Sequence, residues 1–160
     1  MPYYTPFCIQ LWNALRATLA AGFNAELEAV GQAPMPDTGF LVRDPQLMMG
    51  ESVVVFYDST QRQALAKYWV DSVFLFAIHM KTVQPNDLDL NLRLLYMEFA
   101  ATQALQKNHT LGGLLRTLEV GDTMPWPTGK NQQGLACDAL FLPVACQPDV
   151  RVPNPECSIP

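Results

Sequence analysis

The stretch 86–120, NDLDLNLRLLYMEFAATQALQKNHTLGGLLRTLEV, decides the fold. Pro85 stops any element before it, and Asn86 and Asp87 offer side-chain oxygens to the unpaired amides of a helix start. Asp87 and Asp89 also suit the positive end of the helix dipole. Leu88, Leu92, Leu95 and Phe99 recur at steps of four and three, one apolar stripe that predicts a helix over 86–108. Lys107 falls in its last turn, where positive charge is favourable, and Asn108 and His109 read as C-cap chemistry. Gly112-Gly113 then turns the chain into a strand over 114–121.

Upstream of this stretch the period changes from 3.6 to two. Residues 51–57, ESVVVFY, are β-branched and aromatic and predict a buried strand. Asp58–Gln63 reads as a polar turn. Residues 67–82, KYWVDSVFLFAIHMKT, carry the longest strand signal. Tyr68, Val70, Ser72, Phe74, Phe76, Ile78 and Met80 share one face, and Trp69, Asp71, Val73, Leu75, Ala77, His79 and Lys81 share the other. A strand of that length reaches about 50 Å, so a bulge breaks it or one end projects from the domain. At the N-terminus, Thr5-Pro6 predicts a helix start with a hydroxyl cap and proline at the first helical position. Phe7, Leu11, Leu15, Thr18 and Leu19 continue it as a stripe, Gly22 ends or kinks it, and 25–30 extends it by two turns. Gly31–Pro36 closes the element, and 39–43, GFLVR, is a strand candidate.

Downstream, Gly121–Gln133 reads as a loop that holds Trp126 between Pro125 and Pro127, and 134–146 as the last strand. Pro143, Pro148, Pro153, Pro155 and Pro160 point to an extended or disordered tail. The expected fold is α+β: an N-terminal helix, an antiparallel sheet of 51–57, 67–82, 114–121 and 134–146, and the long helix packed on it. One domain spans 1–147, and 148–160 forms the proline-rich C-terminal strap.

Composition narrows the function classes. Of 160 residues, 49% are apolar and 16% charged, against about 25% charged in an average soluble domain. Interface cores are depleted in charge, so an obligate assembly is expected. The net charge of -5 and only ten basic residues argue against wrapped nucleic acid, which needs clustered Lys and Arg. The first basic residue is Arg16, so a charged signal-peptide start is missing, and no apolar run approaches the ~20 residues of a membrane span. A protein folded in a cytoplasm, with no membrane partner, is expected.

The residues that could carry chemistry do not converge. Cys8, Cys137, Cys146 and Cys157 form neither CxxC nor CxxH, so no metal site is expected. Cys137 and Cys146, nine apart in one strand, would lie about 30 Å from each other on opposite faces; a disulfide needs Cα atoms within about 7 Å. His79 sits on a strand face, with Asp71 eight residues away, too far to pair. GxSxG, GxxxxGK[ST], GxGxxG and HExxH are all absent. The expectation is no enzyme, no cofactor and no catalytic residue. The surplus apolar face of 67–82 instead predicts an interface through Trp69, Val73, Leu75 and His79, with Trp126 as a stiffly held aromatic that suits a partner's pocket.

The order N-terminal helix, strands, long helix, GG turn, strand, strand resembles the tail terminator and tail-completion proteins of tailed bacteriophages. The resemblance covers residues 5–147 in element order, and its most specific local match is QKNHTLGGLLRTLEV. The departures are Pro143 inside the last strand and the cysteine- and proline-bearing tail. The resemblance implies a structural virion protein in which copies of the chain form a ring, a homohexamer, that caps the tail tube. It implies as partners the tail tube protein and a head-side connector or neck protein, with DNA passing through the lumen unbound. The alternatives are another head–tail joining or neck adaptor protein, and a small ligand-binding domain or enzyme.

Overall fold

The computed structural model describes residues 6–40, 50–66, 69–130, 134–148 and 152–153. The elements run α1 (Phe7–Ala29), a 3-10 turn (Asp37–Phe40), β1 (Ser52–Ala66), β2 (Trp69–Gln84), α2 (Asp87–Lys107), β3 (Leu115–Val120), β4 (Met124–Lys130), β5 (Ala136–Pro148) and β6 (Val152–Pro153). This is the α+β fold expected, an N-terminal helix and a second helix packed on an antiparallel sheet.

The described strands form one sheet in the order β1-β2-β5-β3, with β4 also paired to β5 and β6 to β2. Every pairing is antiparallel. β3 takes the 144–148 half of β5 and β4 the 136–141 half, so both share one side of it. Pro143 falls between them. Its carbonyl accepts from the Gly121 amide at 2.8 Å, so its donor-less nitrogen points to the same side, into the break between β3 and β4. That is how a central strand tolerates proline without losing a ladder bond.

The core lies between the sheet and the two helices. From α1 it takes Leu11, Leu15, Leu19, Phe23 and Leu27; from β2, Phe74, Phe76, Ile78 and Met80. These positions recur at helical and strand periods respectively, as the sequence predicts. Gly22 does not end α1: a Cβ there would stand 3.1 Å from the Ala104 Cβ, so the glycine lets α1 and α2 approach. The helix stops instead at Gly31, whose φ of 77° closes a turn with Gly31 N bonded to Glu28 O and Gln32 N to Leu27 O. That pair of bonds satisfies carbonyls the last turn would leave open.

The ends of α2 match the sequence reading. The Asn86 side chain accepts from the Asp89 amide at 2.9 Å, and Lys107 pairs with Glu26 of α1. Asn108 caps the C-terminus and accepts from the Gly112 amide at 3.2 Å. Leu111, Gly112 and Gly113 all take positive φ, at 47°, 71° and 92°; the two glycines carry the tight reversal without Cβ strain.

The structure corrects several expectations. The stripe that signals α2 is not its buried face: Leu88, Leu92, Leu95 and Phe99 are all exposed. The face on the core is Leu90, Arg93, Leu94, Met97, Ala100, Ala101, Ala104 and Leu105. Alanines there allow close approach to α1 and the sheet, and Arg93 is admitted because Glu51 meets it with two bonds, at 2.6 and 2.8 Å. Asp58–Gln63 is strand, not turn, for β1 keeps pairing with β2 and absorbs Asp58 as a bulge. Beyond Cys146, which faces Phe74, β5 no longer pairs with β2, so the hairpin end of β1 and β2 runs past it. Within 121–133, Met124–Lys130 is strand. Pro125 and Pro127, two apart, turn their nitrogens to one side, which an edge strand leaves free.

Gly39 and Phe40 of the GFLVR segment lie in the 3-10 turn, where Phe40 packs edge-on to Phe23 at 5.8 Å. A Cβ on Gly39 would meet Glu51 O at 2.6 Å, so the turn is pressed against the start of β1. The rest of that segment, Thr5 and most of the tail after Pro148 lie outside the described residues. Pro6 is the N-cap of α1, not its first helical residue, and α1 has no side-chain cap bond.

Candidate interaction face

Both helices cover the face of the sheet that carries Phe74, Phe76, Ile78 and Met80. The alternate residues of β2 therefore point to the opposite face. Cross-strand register builds it row by row: Phe56, Ala77 and Pro143; Val54, His79 and Phe141; Ser59, Leu75 and Ala145; Gln61 and Val73. Three of these rows are almost wholly apolar. A helix-covered sheet needs only one apolar face, so the second requires its own explanation.

Val73, Leu75 and His79 thus share one face, as the alternation predicts. By backbone register Trp69 lies opposite Ala66 and Pro153, and Trp126 opposite Ala139. They mark opposite ends: β2 runs about 40 Å from Trp69 to Lys81, the partner of Ala139. The side chains of Trp69 and Trp126 lie outside the described residues. Accessibility divides the face. Val73 and Leu75 are half-buried, whereas His79, Lys81 and Ala139 are buried within the single chain.

His79 is held by rings. Phe141 lies tilted at 4.9 Å between centroids and Phe56 edge-on at 6.2 Å, and the imidazole Nδ1 has no hydrogen-bond partner among the described residues. Burial first, and then the charge of Lys81, hold its pKa below the ordinary 6.5. The neutral imidazole is the folded form. Unfolding lets His79 regain its proton affinity, so its contribution is complete above pH 6.5 and is lost as pH falls below it. We expect stability, followed by urea denaturation, to decline from pH 7 to pH 5, and His79→Phe to reduce that slope. An unchanged slope in the variant would show that other groups cause the decline.

Cys146 faces the helices, where burial pushes its thiol up to about 12. It lies on the other side of the sheet from His79, so the two cannot form a thiol–imidazole pair. Among the described residues no three His, Cys, Asp or Glu side chains group together. No described helix is long and apolar enough to cross a membrane.

Sequence reading missed a second apolar feature beside this face. Ile9, Trp12, Val55, Phe56 and Tyr57 line an open groove of about 420 Å³ between α1 and β1. The Trp12 indole donates to the Val55 carbonyl at 2.8 Å, and Arg16 stacks over the Trp12 ring at 4.4 Å. The indole thereby occupies one backbone acceptor of β1, which among the described strands pairs only with β2, and so blunts that strand against unintended strand addition. Phe56 belongs to both features and joins the groove to the face. The only sequence signal for it was the aromatic pair at the end of ESVVVFY. Comparison with known proteins finds no family model and no curated protein that matches the chain.

Proposed function

We propose that this chain is a structural virion protein, a tail terminator that closes into a ring of six copies, caps the tail tube and joins it to the head-side connector. The observation that carries the reading is the second apolar face of β2, half-buried at Val73 and Leu75 on the side of the sheet that the helices leave. A subunit that shows such a face covers it in its assembly. The β1–β2 hairpin, which continues past the paired part of β5, supplies an arm that can reach the next copy. Head-to-tail contacts of this kind form a ring when the rotation per subunit closes. The element order and the KNHTLGG turn support the placement among tail terminators, as does the low charge fraction of 16%. Val73 and Leu75, with Trp69 and Trp126, form the contact with the neighbour or the tube, and His79, buried within the chain, packs Phe56 and Phe141 into the same face. The role is architectural, with no catalysis and no cofactor.

Native mass measurement of the purified chain, alone and with tail tube protein, tests this. The expected species is a closed ring that binds the tube end. Val73→Asp with Leu75→Lys should leave a folded protein that forms no ring, because each buried aliphatic side chain contributes about 1.5–3 kcal/mol. A ring of wild-type mass from the double variant would remove this face from the assembly. A ring that binds a head-side connector but not the tube would place the protein in the neck instead.

A further inference from the structure

We propose that the outer face of α2 is a docking seam for a foreign helix with basic flanks. Leu88, Leu92, Leu95 and Phe99 are 69%, 45%, 61% and 41% exposed. Their steps of four, three and four are the spacing of a heptad seam, and they form a strip about 17 Å long. Such a 3.5-residue period keeps a strip in register with a partner that is itself a helix; a strand or loop does not require it. The strip lies on the helix layer, on the other side of the sheet from Val73 and Leu75, so it stands whether or not those residues close a ring.

The charges choose the occupant. Asp87 and Asp89 stand beside Leu88, and Glu98, half-buried under a bond from Thr123, stands beside Phe99. The cations of α2 are elsewhere: Arg93 is buried against Glu51, and Lys107 lies beyond the seam, paired with Glu26. A second copy is a poor occupant. Antiparallel pairing aligns Leu88 with Phe99 and puts Asp87 on the flank of the partner's Glu98, and parallel pairing puts Asp89 on the flank of the partner's Asp87. Like charges at these positions disfavour both arrangements. A helix with a leucine seam flanked by Lys or Arg fits both the apolar strip and its acidic rim.

The probes are two fluorescein-labelled synthetic peptides with the same leucine heptad seam, one with Lys flanks and one with Glu flanks, titrated with the full chain and read by anisotropy. The Lys-flanked peptide should bind at least tenfold more tightly than the Glu-flanked one, and more weakly as salt rises. Leu92→Glu with Leu95→Glu should weaken it about a hundredfold. That variant adds negative charge, so simple attraction of a basic peptide to an acidic protein would strengthen instead. Both leucines are exposed, so the melting temperature should stay that of the wild type; Leu88→Ser with Leu95→Ser gives a second reading that adds no charge. Equal binding of the two peptides, binding of neither, or full binding by both variants overturns the proposal. So does self-association in sedimentation that Leu92→Glu with Leu95→Glu abolishes, because the occupant would then be a second copy.

Discussion

Arg93→Ala should destabilise the fold by about 3–5 kcal/mol, the range for removing one partner of a buried ion pair. Arg93 reaches from α2 to Glu51 at the start of β1, with Nε 2.6 Å from one carboxylate oxygen and Nη2 2.8 Å from the other. The two side chains are only 8% and 16% exposed. Thr82 donates to the same carboxylate at 2.8 Å. Truncation leaves the largely covered Glu51 carboxylate with the Thr82 hydroxyl as its remaining hydrogen-bond donor among the described residues. For a domain of this size the loss corresponds to a melting point lower by roughly 6–20 °C. Replacing both partners, Arg93→Met with Glu51→Leu, should recover most of it, because a buried pair roughly breaks even against packed apolar groups. Urea denaturation of the three variants checks the prediction. A loss below about 1 kcal/mol for Arg93→Ala would mean that water reaches the pair.

Phe76→Ala should cost a similar amount, about 3–5 kcal/mol. Phe76 is 1% exposed, at the middle of β2, paired across the sheet with Tyr57 and Val144. The Tyr57 ring meets it edge-on at 5.8 Å. Its removal opens a cavity under both helices, where packed neighbours relax only partly. Leu95→Ala is the matched control. Leu95 is 61% exposed on α2, and alanine has the higher helix propensity, so the change should stay within about 0.5 kcal/mol. The same denaturation series separates the two residues. Comparable losses would mean that Leu95 is covered in solution, as it would be in an assembly.

These pairs of residues also locate the boundary of what could be read from the chain. Alternation over 67–82 assigned each described residue of β2 to its correct face, because side chains on an unbroken strand have no other arrangement. Asn86, Lys107 and the Gly112-Gly113 pair marked the ends of α2, because those residues act on backbone groups within a few positions of themselves. The polar run Asp58–Gln63 and the prolines around Trp126 misled for the same reason. Local preference describes a turn or a loop, but β2 and β5 offer a ladder that polar and even proline residues can join from an edge.

On α2 the limit is sharper. Two stripes run along that helix, one of Leu88, Leu92, Leu95 and Phe99, the other built of Leu, Met and Ala around an arginine. Period and hydrophobicity favour the first, and the fold buries the second. The reason is non-local: Glu51, 42 residues away, neutralises Arg93, and Gly22 of α1 leaves room for Ala104. Periodicity therefore pointed to a helix over 86–108 and a strand with two apolar faces over 67–82, within two residues of the observed Asp87–Lys107 and Trp69–Gln84, because those properties follow from neighbours along the chain. Which face of α2 meets the core, and which apolar surfaces remain outside it, were decided only when residues distant in sequence came into contact.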